Sequence, residues 1–137
     1  MIMELSYFRL RLMVFLQESH PDKLNNRQLI HQRSELATLA YCGAIQSGQT
    51  HMEAEQVAIA ELFLGLYFSK HDMLFVVLSE EFSDTVSEEK TSQYALELLP
   101  LCETVFAKFS LGDDFADTPE YRNLYSELTG KIGEYGL

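Results

Sequence analysis

Apolar residues recur along this chain at spacings of three and four positions, the pattern produced by α-helices that bury one face. The first such stretch covers residues 4–18 and ends at His20-Pro21, because proline pushes the preceding residue out of the helical conformation. The clearest stretch follows Thr118-Pro119-Glu120, a typical helix start with proline at the first helical position. Its apolar stripe consists of Tyr121, Leu124, Tyr125, Leu128, Ile132 and Tyr135. The pattern predicts an all-α protein.

Capping signals divide the middle of the chain into further helices. Asp22 is the predicted N-cap of a second helix, which ends at the glycine signal Ser47-Gly48. Thr50 and Glu53 form a capping box that begins a third helix. Ser69 is the predicted cap of a fourth helix, reaching about Asp84, and Ser87 that of a fifth.

Three further segments depart from the simple one-sided helical pattern. Residues 57–68 are apolar nearly all round, which predicts a central buried helix. Residues 73–78 fit a short buried strand as well as a helix, and we predict a helix because no other segment offers a partner strand. Pro100 lies inside the fifth helix and should kink or split it. Together these elements predict one domain, residues 1–137, folded as a single compact bundle of about six helices.

Composition adds the expected environment of the protein. The chain has 137 residues, of which 47% are hydrophobic, enough to build a core without disulfides. Its two cysteines, Cys42 and Cys102, form no paired motif. The longest apolar stretch is shorter than the ~20 residues that a membrane-spanning helix needs. We therefore expect a cytoplasmic protein without a membrane partner.

The charge is strongly negative and unevenly distributed. The formal net charge is −11, and residues 73–137 carry thirteen acidic and four basic side chains. Direct binding of nucleic acid usually requires a basic surface that contacts phosphates. The sequence therefore argues against nucleic acid as a direct partner and favours a protein partner, while self-association is left open.

Several stretches of the chain, in order, resemble one protein family. They are Ser6 to Leu10, Glu18 to Pro21, Leu66 to Asp72, Leu99 to Glu103, Val105 to Lys108, Asp113 to Ala116, and Pro119 through Leu128-Thr129-Gly130. They look like the bacterial domain-of-unknown-function family 1896, and the similarity weakens between about Asp22 and Ala54. The resemblance implies a compact cytoplasmic helical protein, often carried near genes of conjugative or mobile elements. It implies no activity and no site residue.

The sharpest enzymatic hypothesis begins at His71-Asp72. All-helical metal phosphohydrolases of the HD type use a His, a His-Asp pair and a distant Asp, and such ligands can hold a divalent metal that activates water. The candidate metal ligands in that order are His31 or His51, then His71 and Asp72, then Asp113, Asp114 or Asp117, with His31, His71, Asp72, Asp113 and Asp114 as the preferred set. The alternative is structural, because Asp72 in the first turn of a helix stabilises the helix dipole.

Other catalytic and cofactor motifs are absent from the sequence. It contains no His-Glu-x-x-His zinc motif, no P-loop and no dinucleotide fingerprint, so no cofactor is predicted. Exposed tyrosines are enriched in protein interfaces, although most aromatic residues belong to cores. The candidate interaction residues are Tyr67, His71, Asp72, Asp113, Asp114 and Tyr121.

Three functional hypotheses follow from these observations. The first is a non-enzymatic interaction or accessory module, linked to a bacterial mobile element, that binds an unidentified protein. The second is an acidic DNA mimic that occupies a basic nucleic-acid-binding protein. The third is the metal-dependent phosphohydrolase centred on His71-Asp72.

Overall fold

The computed structural model describes residues 2–136, and every regular element in that range is helical. The predicted all-α class is therefore confirmed. The α-helices within the described residues are α1 (Ile2–Ser19), α2 (Arg27–Gln46), α3 (His51–Leu62), α4 (Lys70–Glu81), α5 (Thr91–Leu98), α6 (Glu103–Phe106) and α7 (Glu120–Gly133). Short 3₁₀ turns cover Pro21–Lys23, Glu88–Lys90 and Phe115–Asp117. Residues 73–78 lie inside α4 and are helical, as predicted.

The count of seven α-helices among the described residues, against about six expected, has its cause at Pro100. The fifth predicted helix is split there: α5 ends at Leu98, a turn follows, and α6 begins at Glu103. Proline lacks the N–H that a continuous helix would need at this point, which is the physical reason for the predicted split.

The residues group into two compact units, residues 1–64 and residues 65–137. We refer to them as unit 1 and unit 2. The single-domain organisation expected from the sequence stays a prediction.

Unit 1 contains α1, α2 and α3. Its core combines the predicted stripe of α1 with small side chains on the other two helices, which allow close packing of the helices. The buried apolar residues are Phe8, Leu12, Leu16, Ile30, Ala37, Ala44, Ala54, Ala58, Leu62 and Phe63. α3 begins at the predicted capping box, in which Thr50 accepts a hydrogen bond from the Glu53 N–H and Glu53 accepts one from the Thr50 N–H.

Two predictions about residues 22–68 are wrong. The N-cap of α2 is Asn26, whose side chain accepts a hydrogen bond from the Leu29 N–H at 3.1 Å, whereas Asp22 lies in the 3₁₀ turn after Pro21. Residues 57–68 do not form a central buried helix. α3 ends at Leu62, and Gly65, with φ of 78°, turns the chain in a conformation that few other residues adopt. Leu64 is 58% exposed, outside the core.

Unit 2 contains α4 to α7, and its core is built around α4 and α7. α4 begins at the predicted cap Ser69, whose hydroxyl accepts a hydrogen bond from the Asp72 N–H at 2.9 Å. Its buried face packs with the predicted stripe of α7. The buried residues of these two helices include Met73, Leu74, Val77, Leu78, Leu124, Leu128 and Ile132. The Cys102 thiol is free and lies in the same core, where burial raises its pKa.

Two predicted helix starts in unit 2 differ from expectation. Ser87 makes no side-chain capping bond within the described part of the chain, and a 3₁₀ turn separates it from α5. The Thr118 hydroxyl donates to the Phe115 carbonyl at 2.7 Å, yet α7 still begins directly after Pro119. Across the described residues, no helix is long and apolar enough to cross a membrane.

Candidate functional site

Three of the predicted interaction residues, Tyr67, Asp72 and Tyr121, line one cavity of about 170 Å³ in unit 2. The lining residues come from the start of α4, the segment before it, the 3₁₀ turn at Phe115–Asp117 and the start of α7. We call this set the Tyr67–Tyr121 surface; it comprises Tyr67, Phe68, Ser69, Asp72, Met73, Val76, Ala116 and Tyr121.

The backbone at Tyr67 is held by the acidic loop between α6 and α7. The Asp113 carboxylate accepts hydrogen bonds from the Gly65 N–H at 2.9 Å and from the Tyr67 N–H at 3.1 Å. Both N–H groups belong to the irregular segment that connects to α4 and are therefore not needed by a helix. Asp113 thus lies behind the Tyr67–Tyr121 surface as a positioning residue, and the Tyr67 side chain stays 55% exposed.

The aromatic side chains of this surface rest on a buried ring. Phe115 is buried, and its ring centroid lies 5.1 Å from that of Phe68 and 6.4 Å from that of Tyr121. The Phe68 pair has an edge-to-face arrangement, which is favourable for aromatic rings. The surface is therefore supported from beneath by packed side chains.

Asp72 supplies a negative charge at this surface. Its side chain is 51% exposed, and its Oδ1 lies 3.4 Å from Nδ1 of the His71 ring. Among the described residues, no lysine or arginine pairs with it; Lys70, two residues earlier, pairs with Glu103 at 3.0 Å instead. The carboxylate is therefore available to a cation from another molecule.

His71 and Asp114 do not join the surface. The His71 side chain is buried, and its Nε2 lies 3.1 Å from the Ser92 carbonyl oxygen and 3.3 Å from the Ser92 hydroxyl. This contact directs the imidazole into the interior of unit 2. Asp114 is exposed in the loop beside Asp113 and does not line the cavity.

The predicted metal ligands do not form a common site, and several of them make other contacts. His31 is exposed and lies 3.4 Å from Glu35 on the same helix, while both oxygens of Asp113 accept backbone hydrogen bonds. Within residues 2–136, no group of three His, Cys, Asp or Glu side chains is arranged to hold a metal ion. The metal assignment stays a prediction without a ligand group to support it.

Sequence reasoning missed a polar network in unit 1. The Tyr41 hydroxyl lies 2.7 Å from His51 Nδ1, and His51 Nε2 lies 3.4 Å from the Glu55 carboxylate. The same carboxylate accepts hydrogen bonds from the Tyr7 hydroxyl at 2.9 Å and from Arg11 at 3.0 Å. The available signal was the spacing, since Tyr7 with Arg11 and His51 with Glu55 are each four residues apart on a helix.

This network borders a cavity of about 300 Å³ and joins side chains from α1, α2 and α3. Its imidazole lies between the Tyr41 hydroxyl and the Glu55 carboxylate, and the His51 side chain is 69% exposed. Each of these side chains contacts either another helix or a residue one turn away on its own helix, so the network contributes to the packing of unit 1.

Comparisons with known proteins agree with the fold. Residues 2–135 match the family model described as Domain of unknown function (DUF1896). The crystal structure of protein PG0816 from Porphyromonas gingivalis is 44% identical in sequence, with a TM-score of 0.91, over 94% of this chain and 88% of that protein. No curated protein matches this chain.

Proposed function

Because the chain belongs to the DUF1896 family, which is described as a domain of unknown function, we propose a function from its own geometry. The protein is a non-enzymatic interaction module that binds a basic segment of another protein at the Tyr67–Tyr121 surface. The observation that carries this proposal is the Asp72 carboxylate, which lines one cavity together with the exposed Tyr67 ring and the partly buried rings of Phe68 and Tyr121.

The cavity has the chemistry of a site for a lysine or arginine side chain. A carboxylate pairs with the charge, and aromatic faces attract cations by about 0.5–2 kcal/mol. Arginine is moreover enriched at the centres of protein interfaces. A volume of about 170 Å³ is below the ~300 Å³ at which small-molecule pockets begin, so one inserted side chain fits the cavity better than a whole substrate.

The charge of unit 2 favours the same partner. Residues 65–137 carry fourteen acidic and five basic side chains, a net charge of −9. Such a field attracts basic proteins over distances of about a Debye length, ~8 Å at physiological salt, and raises the association rate. The field supplies attraction, and the Tyr67–Tyr121 surface supplies the specific contact.

The fixed backbone at Tyr67 lowers the cost of binding. Asp113 restrains the segment before α4, and Phe115 supports the rings, so little conformational freedom is lost when a partner binds. Truncation of an interface tyrosine in such a setting costs about 2 kcal/mol, or roughly thirtyfold in affinity.

The alternatives to this proposal are the acidic DNA mimic and the metal-dependent phosphohydrolase. An acidic DNA mimic would also bind a basic protein, but through dispersed carboxylates instead of one cavity. A place among mobile-element accessory proteins and a cytoplasmic location stay part of the proposal and rest on the family resemblance and the sequence. A phosphohydrolase is not proposed, because no ligand group for its metal occurs among residues 2–136.

Variant-dependent capture tests the proposal. The full chain and the variants Tyr67→Ser, Asp72→Asn and Asp84→Asn are used as baits in an extract of the source organism. Asp84→Asn is the matched control, because Asp84 is an exposed carboxylate of unit 2 that does not line the cavity. We expect one protein to be retained by the wild type and the control and to be reduced about tenfold or more by the other two variants.

The contact itself is then mapped with a photo-cross-linking residue at position 76, which lines the cavity. The expected cross-linked peptide contains lysine or arginine. Equal losses for Asp72→Asn and Asp84→Asn, with duplex DNA displacing the partner, would support the DNA mimic instead. If no captured protein depends on Tyr67 or Asp72, the proposal is wrong.

A further inference from the structure

Unit 1 contains a larger cavity between α1, α2 and the segment that joins them, with a volume of about 460 Å³. Nothing in the proposed interaction function involves it. Its lining residues are Leu5, Arg9 and Met13 from α1, Leu24 and Asn25 from the connecting segment, and Arg27, Ile30, His31 and Ser34 from α2.

Two arginines on the rim of this cavity have no acidic partner in the described part of the chain. Arg9 and Arg27 are exposed, and neither forms an ion pair with any carboxylate of residues 2–136. Elsewhere in unit 1 the arginines are engaged: Arg11 pairs with Glu55 at 3.0 Å, and Arg33 donates to backbone carbonyls at the end of α3. Two arginines without an ion pair among the described residues therefore line one cavity in a protein of charge −11.

The floor of the cavity is uncharged. Ile30 and Ser34 are buried, and the Ser34 hydroxyl donates to the Ile30 carbonyl at 2.6 Å. The lining residue His31 lies 3.4 Å from the Glu35 carboxylate, and its ring is exposed. Of the side chains that the structure describes, no carboxylate lines the cavity, so the positive potential of Arg9 and Arg27 is not neutralised there.

We propose that this cavity binds a small organic phosphate ester of about nucleotide size. A guanidinium group donates two parallel hydrogen bonds to a phosphate, which makes arginine the preferred residue for such ligands. Arg27 also begins α2, and the partial positive charge at the start of a helix adds to the attraction. The phosphate lies between Arg9 and Arg27.

The apolar lining residues indicate that the ligand has an organic part in addition to its phosphate. Leu5, Met13, Leu24 and Ile30 form the apolar part of the lining, which an inorganic anion would leave unused. The volume of about 460 Å³ lies within the range of roughly 300–1,000 Å³ typical of small-molecule sites. The phosphate provides orientation, and the apolar contacts provide additional affinity.

Calorimetric titration of the full chain tests the proposal with three probes: adenosine monophosphate, adenosine and inorganic phosphate. We expect saturable one-to-one binding of adenosine monophosphate, and at least tenfold weaker binding of the other two. Adenosine lacks the charge, and inorganic phosphate lacks the organic body. Binding of adenosine as strong as that of its monophosphate would overturn the proposal, and so would the absence of saturable binding.

Three variants locate the site. Arg9→Gln and Arg27→Gln should each weaken binding of adenosine monophosphate about tenfold, because each removes a charged hydrogen-bond donor. Arg122→Gln is the control, since it removes the same charge from an exposed position in unit 2. It should change the affinity less than twofold. Equal weakening by all three variants would show a general charge effect and would refute the assigned cavity.

Both test substitutions are at exposed side chains without ion pairs among the described residues, so they should leave the fold intact. Circular dichroism and the thermal midpoint of each variant verify this point. The result is independent of partner capture, because the Tyr67–Tyr121 surface contributes no residue to this cavity.

Discussion

The carboxylate of Asp113 accepts a hydrogen bond from the backbone N–H of Tyr67 at 3.1 Å, linking residues 46 positions apart. Its second oxygen accepts from the Gly65 N–H, so a single side chain orders the segment before α4. Hydrogen bonds to a charged acceptor are stronger than neutral ones, although exposure to water reduces their net contribution. This link joins the stability of unit 2 to the shape of the proposed interaction surface.

Asp113→Ala should lower the free energy of unfolding by about 1–2 kcal/mol, because two backbone N–H groups lose their acceptor. Urea denaturation monitored by circular dichroism measures the change. Asp114→Ala is the neighbouring control and should change stability by less than about 0.5 kcal/mol, since its side chain is exposed. Similar effects of the two substitutions would show that Asp113 has no special positioning role.

A second prediction concerns two glycines at the end of α2. Gly43 lies inside the helix, and no atom outside its own helical backbone lies within 4 Å of the place that a Cβ would occupy, whereas Gly48 has φ of 95°. Gly43→Ala should stabilise the protein by roughly 0.5–1 kcal/mol, because alanine loses less backbone entropy in a helix. Gly48→Ala should destabilise it by about 1 kcal/mol, since a side chain is strained at positive φ.

Thermal and urea unfolding of the two variants provide the measurement, and the opposite signs serve as an internal control. Both positions have open space, so steric clash cannot explain a difference between them. Destabilisation by both substitutions would contradict the backbone assignment at Gly43.

A third prediction concerns Glu55, the acceptor shared by Tyr7 and Arg11. Glu55→Gln should cost about 1–2 kcal/mol of stability, because it removes the charge from a network that joins α1 to α3. Glu35→Gln is the matched control: Glu35 forms the same four-residue contact with a histidine, but on an exposed face. Its loss should cost less than about 0.5 kcal/mol.

Chemical denaturation of both variants at neutral pH provides the comparison. A Glu55→Gln effect as small as that of Glu35→Gln would mean that the network contributes little to the packing of unit 1.

The parts of the fold that could be predicted depend on local interactions. The capping box at Thr50 and the cap at Ser69 involve residues three positions apart, so the sequence contains their whole geometry. The N-cap of α2 was wrongly assigned to Asp22 because a 3₁₀ turn follows Pro21 and delays the helix to Asn26, a feature that residue preferences alone do not indicate.

The error at residues 57–68 has a different cause. Apolar residues continue past Leu62, and composition does not show that the chain turns at Gly65. The glycine inside this apolar segment did indicate a possible turn in the sequence, because positive φ is a common reason for a glycine at such a position.

The sequence indicated the types of residue in the candidate site, but it did not indicate which of them lie close together. Tyr67 and Asp72 are close in sequence, but Tyr121 reaches the same cavity only because α7 packs beside α4. The burial of His71 likewise follows from its contact with Ser92 on α5, which no local pattern reveals. Long-range packing therefore decided which candidates meet.

The last prediction concerns the pH dependence of stability through Tyr125. Burial raises the pKa of this phenol above its ordinary value of about 10. The hydrogen bond that its proton shares between Glu80 at 2.9 Å and Glu81 at 3.1 Å raises the pKa further, together with the negative charges of the two carboxylates. The pKa of the folded state is thus above that of the unfolded state. The stabilisation is complete below pH ~10 and is lost as the pH rises above that value, because only the unfolded state then releases the proton.

Tyr125→Phe should lower the free energy of unfolding by about 1 kcal/mol at pH 7, since the hydrogen bond that the single phenol proton shares between the two carboxylates is lost. The difference between wild type and variant should shrink between about pH 9 and pH 11, as urea denaturation across this range would show. Tyr94→Phe is the control, because the Tyr94 hydroxyl forms no hydrogen bond with the described residues, and its difference from wild type should be smaller at pH 7. A wild-type advantage over Tyr125→Phe that stays constant up to about pH 11 would contradict the raised pKa, because ionisation of the unfolded state must remove it.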